Sequence, residues 1–199
     1  FAEYKRYHNP WFTSYHWLRG HYKNDTYGFT SLNYDFNDNL SVLARTSITT
    51  YDLFRNEKMP FSAHPYGREE NRGDYREDRR SMFENNTEAL MSYTNKFGAL
   101  NLDAKVGGNI RTFAYNSNFT STNYLLVPEV YNLANSANPV LAYNFDAKMS
   151  VNSLYADVNA GVRGFNVNGT LRRDQISTLP VDNNSFVYPG ASFAFIPTE

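Results

Sequence analysis

At 199 residues, with a formal net charge of -1 and no cysteine, the chain has room for one or two domains, lacks a basic face for nucleic acid, and excludes disulfide staples and thiolate metal sites. Aromatic residues make up 17% of it although mean hydropathy is low, so side chains must divide between two very different environments. No run approaches 18 apolar residues, which excludes a transmembrane helix but not a barrel strand, since that needs only about 9–11 residues with half of them polar.

Phe1–Lys5 has neither a basic n-region nor an apolar h-region, so no signal peptide is read there. The sequence opens and closes in mid-pattern, as expected of an internal piece of a longer polypeptide. Phe1–Asp25 is the least regular stretch, and Trp11–Leu18 reads equally as a strand or as an interfacial loop. From Tyr27 to Phe36 the alternation is clear: Gly28, Thr30, Leu32, Tyr34 and Phe36 oppose Ser31, Asn33 and Asp35. Asn37-Asp38-Asn39 is a tight-turn cluster. Leu40, Val42, Ala44 and Ile48 then oppose Ser41, Arg45, Ser47 and Thr49. Asp35-x-Asn37-x-Asn39 is no calcium loop, because Leu40 and Thr46 stand where Gly and Glu are required.

Tyr51–Arg80 breaks the alternation. It holds seven acids and seven bases and reads as a long loop. Ser81–Lys96 resumes extended structure, with Ala89, Met91 and Tyr93 opposite Glu88, Ser92 and Thr94, and Phe97-Gly98 makes the turn. Leu100–Thr112 alternates best: Leu100, Leu102, Ala104, Val106 and Ile110 oppose Asn101, Asp103, Lys105, Asn109 and Arg111. Gly107-Gly108 inside this strand allows a bend or a close approach. Phe113–Lys148 reads as a second long loop. Ser150–Gly161 and Gly164–Asp174 form a third hairpin, in which Leu154, Ala156, Val158 and Ala160 oppose Ser153, Asp157 and Asn159. A loop over 176–186 leads to an extended aromatic stretch, Phe186–Ile196. Short and long connections thus alternate, as in outer-membrane barrels with short periplasmic turns and long extracellular loops. Loop sorting, strand length and the Asn/Ser/Thr/Asp/Arg composition of the polar faces favour a membrane barrel over a soluble sandwich, although alternation alone suits both.

Several segments carry a resemblance. Asn9-Pro10-Trp11-Phe12, Gly73-Asp74-Tyr75, Leu126-Val127-Pro128-Glu129-Val130-Tyr131-Asn132-Leu133, Ser153-x-Tyr155, Ser177-Thr178-Leu179-Pro180, Asn183-Asn184-Ser185-Phe186, Tyr188-Pro189 and the closing Phe195–Glu199 together resemble the barrel of the SusC/RagA family of TonB-dependent outer-membrane transporters of Bacteroidetes. The family's Gly and Trp ahead of Leu179-Pro180 are replaced within Leu171–Ser177. The resemblance implies an all-β antiparallel transmembrane β-barrel, this chain supplying about seven or eight of roughly 22 strands. It further implies TonB-dependent import of an oligomeric nutrient, glycan or peptide, across the outer membrane. The implied partners are a SusD-like surface lipoprotein, TonB-ExbB-ExbD acting through parts absent from this chain, and outer-membrane lipid. A siderophore or vitamin receptor without a lipoprotein lid, and a soluble glycan-binding sandwich, are the alternatives.

The chain offers no catalytic constellation. His8, His16, His21 and His64 lack the spacing of a zinc motif, Glu69-Glu70 are neighbours in a charged loop, and no cofactor is expected. If any residues meet substrate in the lumen, alternation selects Arg45, Asp103, Asn109, Arg111, Asp157, Asn166 and Arg172. The loop residues expected against a lipoprotein are Arg68, Asp74, Tyr75, Tyr131 and Asn183.

Overall fold

The computed structural model describes residues 8–63 and 68–197. The readings at Phe1–Lys5, at His64 and at Thr198-Glu199 fall outside them. The chain forms a single seven-stranded antiparallel sheet whose spatial order follows the sequence: β1 (Leu18–Asn37), β2 (Leu40–Met59), β3 (Asp74–Phe97), β4 (Leu100–Leu125), β5 (Ser136–Val162), β6 (Phe165–Ile176) and β7 (Ser185–Phe195). β1 and β7 are its open edges, and the second layer that a sandwich requires is absent among the described residues.

Three short turns have local causes. Asn37 Oδ1 accepts from the backbone N–H groups of Asn39 (2.9 Å) and Leu40 (3.0 Å), folding the first. Gly98, at φ 62°, permits the second. Arg163 and Gly164, at φ 45° and 80°, make the third, the two-residue hairpin turn whose twist matches its strands.

Two expectations are corrected. Pro10–Tyr15 is a short helix, α1, rather than a strand or loop: the Asn9 side chain caps it by accepting from Trp11 N, and Pro10 suits the first position. The irregular loops expected over 51–80 and 113–148 are mostly strand, and the connections shrink to residues 60–73 and 126–135. In β3 the alternation is there, but in the sign of charge: Asp74, Arg76, Asp78 and Arg80 fall at every second position. A strand with charge on both faces lacks the hydropathy signal by which strands are recognised. The connection expected over 176–186 lies between Ile176 and Ser185 and contains a single 3-10 turn, Val181–Asn183.

The chain divides into two compact units. The loop-proximal unit takes Phe1–Asp25, Thr50–Met82 and Tyr115–Ala147, including connections 60–73 and 126–135. The turn-proximal unit takes Thr26–Thr49, Phe83–Ala114 and Lys148–Glu199, including the three short turns. β6 and β7, with 12 and 11 residues, lie wholly in the latter and have the length that crosses a bilayer; β1 to β5, with 20 to 27 residues, have about twice that.

In the turn-proximal unit the register sorts the side chains. Ala156 pairs with Leu171 and Leu171 with Pro189; Ala160 pairs with Val167 and Val167 with Phe193. Directly paired residues share a face, so these rows form one apolar face. The alternate rows, Tyr155–Arg172–Tyr188 and Asn159–Asn168–Ser192, form a polar one. The apolar face is uncovered: Leu154, Val106, Ile110, Val167, Leu171 and Phe193 are all exposed, Leu154 to 64%. Aromatic side chains gather on it beside the short turns. Phe165 stacks on Phe195 with ring centroids 4.3 Å apart, and Tyr34 meets Phe36 edge-on at 4.8 Å. Buried large apolar side chains occur, among the described residues, only in the loop-proximal unit, at Met59, Tyr75 and Leu125.

Candidate functional site

Two polar constellations stand out, one in each unit. In the turn-proximal unit, Arg45 of β2 and Glu88 of β3 form an ion pair at 2.7 Å. The hydroxyl of Tyr155 on β5 donates to the same carboxylate at 2.6 Å, so it passes over β4 to reach β3. It passes over Gly107. A Cβ there would stand 2.6 Å from the Tyr155 ring, so the glycine is what lets the ring lie across the strand. The close approach read from the sequence is therefore found at Gly107.

The remaining positions picked out by alternation lie in the same unit. Arg111 makes a two-pronged contact with Glu84, at 3.1 and 2.8 Å. Asn109 donates to Asn86, and Asp157 accepts from Asn168. Asp103 accepts from Thr94 at 3.0 Å and lies 3.4 Å from the Lys105 ammonium. Arg172 donates to both oxygens of Asp174 and to Ser153. Asn166 pairs with Gly161 across the third hairpin. Each guanidinium here is held by a carboxylate, so the face carries fixed, locally neutralised charge in place of free charge.

The loop-proximal unit holds the second constellation. Glu57 accepts from Arg19 (3.0 Å), Arg76 (3.3 Å) and the indole N–H of Trp17 (2.5 Å). Asp78 accepts from Arg55 (2.5 Å) and from Arg80 (Nε at 3.0 Å). Arg19, Arg55, Glu57, Arg76, Asp78 and Phe119 line a shared shallow cleft. Burial disfavours the charged form of Asp78, but hydrogen bonds from Arg80 and Arg55 outweigh it and hold the carboxyl below its ordinary range. Beside the cleft, Phe119 and Tyr143 pair at 6.1 Å, and Tyr115 and Phe145 at 6.2 Å. Sequence reasoning missed this cluster because it read 51–80 as loop. The sign alternation of Asp74, Arg76, Asp78 and Arg80 was the signal available.

The residues expected to meet a lipoprotein divide. Asp74, 1% exposed, is a buried hub: it accepts from Arg68 Nη2 (2.5 Å), from the backbone N–H of Tyr124 (3.0 Å) and from Thr122 (3.3 Å). The Arg68 guanidinium also lies 3.9 Å over the Tyr124 ring. Tyr75 is buried too. Its backbone N–H donates to Thr122 and its hydroxyl to Glu77, and burial first, then that bond, raise the phenol's pKa. Gly73, at φ 64°, places its α-carbon against Met59 O, where no Cβ fits. Arg68, Asp74 and Tyr75 therefore fasten the connection 60–73 rather than present it. Tyr131 is half-buried and Asn183 exposed. Tyr131 donates to Glu129 and lies beneath the Lys58 ammonium, and burial followed by the bond to Glu129 raises its pKa; Asn183 is exposed in its 3-10 turn. The connection 126–135 is stapled by Asn135, which donates to Val127 O and Val130 O and accepts from Val127 N.

No group of three or more metal-ligating side chains occurs among the described residues. Among the described residues no helix is long and apolar enough to cross a membrane, which leaves strands to be judged by their faces. No protein-family model matches the sequence, and no curated protein matches it. Solved structures do. The chain superimposes on the RagAB peptide transporter with a TM-score of 0.84, at 14% identity, over 94% of its own length and 21% of that chain. It superimposes on the RagAB peptide importer in its open-open state at 0.83 and in its closed-closed state at 0.75. At such identity the likeness defines the fold alone: an unclosed antiparallel sheet that matches a fragment of a β-barrel. The chain spans about a fifth of the length of the transporter chain it matches.

Proposed function

We propose that this chain forms part of the wall of a TonB-dependent outer-membrane importer of the SusC/RagA kind, taking up an oligomeric nutrient with a SusD-like lipoprotein. The observation that carries the reading is the sorted sheet of the turn-proximal unit. One face exposes Leu154, Val158, Val167, Leu171 and Phe193, and the other bears the Arg45–Glu88–Tyr155 and Arg172–Asp174 network. An apolar surface that wide is costly in water and suits lipid, while a satisfied polar face suits a hydrated pathway. Aromatics beside the short turns match an interfacial girdle, so these turns would face the periplasm. Similarity in fold to a peptide transporter supports the same reading. In it, Arg45, Asp103, Asn109, Arg111, Asp157, Asn166 and Arg172 line the lumen, and the chain is no enzyme. Tyr131 in the connection 126–135 and, separately, Asn183 in the connection 177–184 would each offer a contact to the lipoprotein. TonB-ExbB-ExbD would act through the rest of the transporter.

The test is fractionation of the native full-length protein with crosslinking. Recovery only with detergent from the outer membrane, and a photocrosslink from position 131 or 183 to a lipoprotein, are expected. Recovery in the soluble fraction would overturn the reading.

A further inference from the structure

The cleft of the loop-proximal unit is electrically unbalanced. Three guanidiniums that line it, those of Arg19, Arg55 and Arg76, and a fourth beside it, that of Arg80, are held by two carboxylates, Glu57 and Asp78. Arg76 also lies 3.7 Å from Asp74, but Asp74 already holds Arg68, and Asp52 shares the neighbouring cleft with Arg80, so the guanidiniums still outnumber the carboxylates by one. The adjacent Lys23–Asp25 pair is neutral in sum. Exposure follows sign. The carboxylates of Glu57 and Asp78 are 18% and 13% exposed, whereas Arg19 and Arg55 are 66% and 41% exposed. The acids lie below and the guanidinium edges face outward. Arg19 also leans 5.3 Å over the Trp17 ring, which fixes its plane.

This is how a planar, two-pronged receptor for carboxylate is made. Guanidiniums pre-positioned by shared acids lose little side-chain freedom on binding, and their remaining N–H groups match a carboxylate's two oxygens. Phe119 lines the same cleft and pairs with Tyr143, so flat apolar surface lies beside the cations. We infer that this cleft is a binding site for carboxylate-bearing oligomers, with Arg19 and Arg55 as the anion-contacting pair and Phe119 as the platform for the adjoining apolar group. The inference rests on the transport reading for its physiological setting, and it names the charge class of the cargo.

The double variant R19Q/R55Q isolates the claim, because Glu57 keeps Arg76 and Asp78 keeps Arg80, so no acid is left unpaired. Isothermal titration of the native full-length protein would use a short Glu-rich peptide against its Gln counterpart, and an oligogalacturonate against its methyl ester. At least one acidic member should bind about tenfold tighter than its neutral twin, with the gap narrowing as salt is raised. R19Q/R55Q should abolish that gap, and R19K/R55K should restore part of it. The acidic member that shows the preference identifies whether the carboxylate comes from peptide or saccharide. Equal binding of acidic and neutral members in both pairs, or an unchanged gap in R19Q/R55Q, overturns the inference. Fractionation separates this from failure of the transport reading: a detergent-requiring protein without acid preference loses only the inference, and a soluble one with it loses only the transport setting.

Discussion

Along β4 the even-numbered positions carry Leu102, Ala104, Val106 and Ile110 in the turn-proximal unit, but Asn116, Asn118 and Thr120 in the loop-proximal one. The odd-numbered positions reverse: Asn101, Asp103, Lys105, Asn109 and Arg111 give way to Tyr115 and Phe119. β5 does the same, with Leu154, Ala156 and Val158 against Asn144 and Asp146 at even positions, and Ser153, Asp157 and Asn159 against Leu141, Tyr143 and Phe145 at odd ones. Backbone pairing is indifferent to such a reversal, because it satisfies N–H and C=O groups whatever the side chains are. One strand can therefore serve two environments, and the residues near Thr112 and Lys148 mark where the rule changes. The two units are also secured differently. The loop-proximal one adds buried apolar side chains and a buried acid to its cross-strand ion pairs, whereas the turn-proximal one relies on side-chain bridges across the sheet.

The sharpest way to break that contrast is D74A. It leaves the mostly buried Arg68 and the Tyr124 N–H without their acceptor, at a cost of about 3–5 kcal/mol. Limited proteolysis should cut the connection 60–73 much faster, while the strands of the turn-proximal unit keep their protection. Next, Gly107→Ala places a methyl against the Tyr155 ring, and the overpacking should cost about 1–3 kcal/mol. Heat-dependent gel mobility of the full-length protein would report a lower unfolding temperature, and unaltered mobility would deny the glycine its role. Tyr155→Phe keeps the ring over Gly107 and removes only the bond to Glu88, which Arg45 still holds. The expected loss is smaller, about 1–2 kcal/mol. The mildest effect is acid. The pKa of Asp78 is depressed by folding, so its contribution is complete above the ordinary carboxylate value and is lost as pH falls below about 4 through the folded value. Amide exchange in β2 and β3, corrected for its intrinsic rate, should quicken first around Arg55 and Asp78. Uniform loosening in both units would erase the distinction.

What could be read from the sequence follows from which signal each strand carries. Hydropathy alternates at Leu40–Ile48, Leu100–Ile110 and Leu154–Ala160, and the strands and sorted faces there are as expected. It fails at Asp74–Arg80, where cross-strand ion pairs replace apolar partners and only charge alternates. The polar positions Arg45 and Arg172 were legible as members of a face. Their common neighbourhood with Glu88 and Tyr155 was not, because it depends on strand registers that join residues 67 apart. The burial of Asp74 was hidden for a related reason: its hydrogen-bond donors come from Arg68, in the connection 60–73, and from Thr122 and Tyr124, at the end of β4.

Gly107 bears on how the sheet finds its alignment. Antiparallel neighbours can slide by two residues and keep both their hydrogen bonds and their polar and apolar faces. Such a slip of β4 against β5 would bring Lys105 or Asn109 under the Tyr155 ring, and neither leaves the room that a hydrogen in place of a side chain provides. Only one alignment admits the ring and lets its hydroxyl reach Glu88. The missing side chain thus works as a keyway: it tells two strands that could mate in several positions which one is correct.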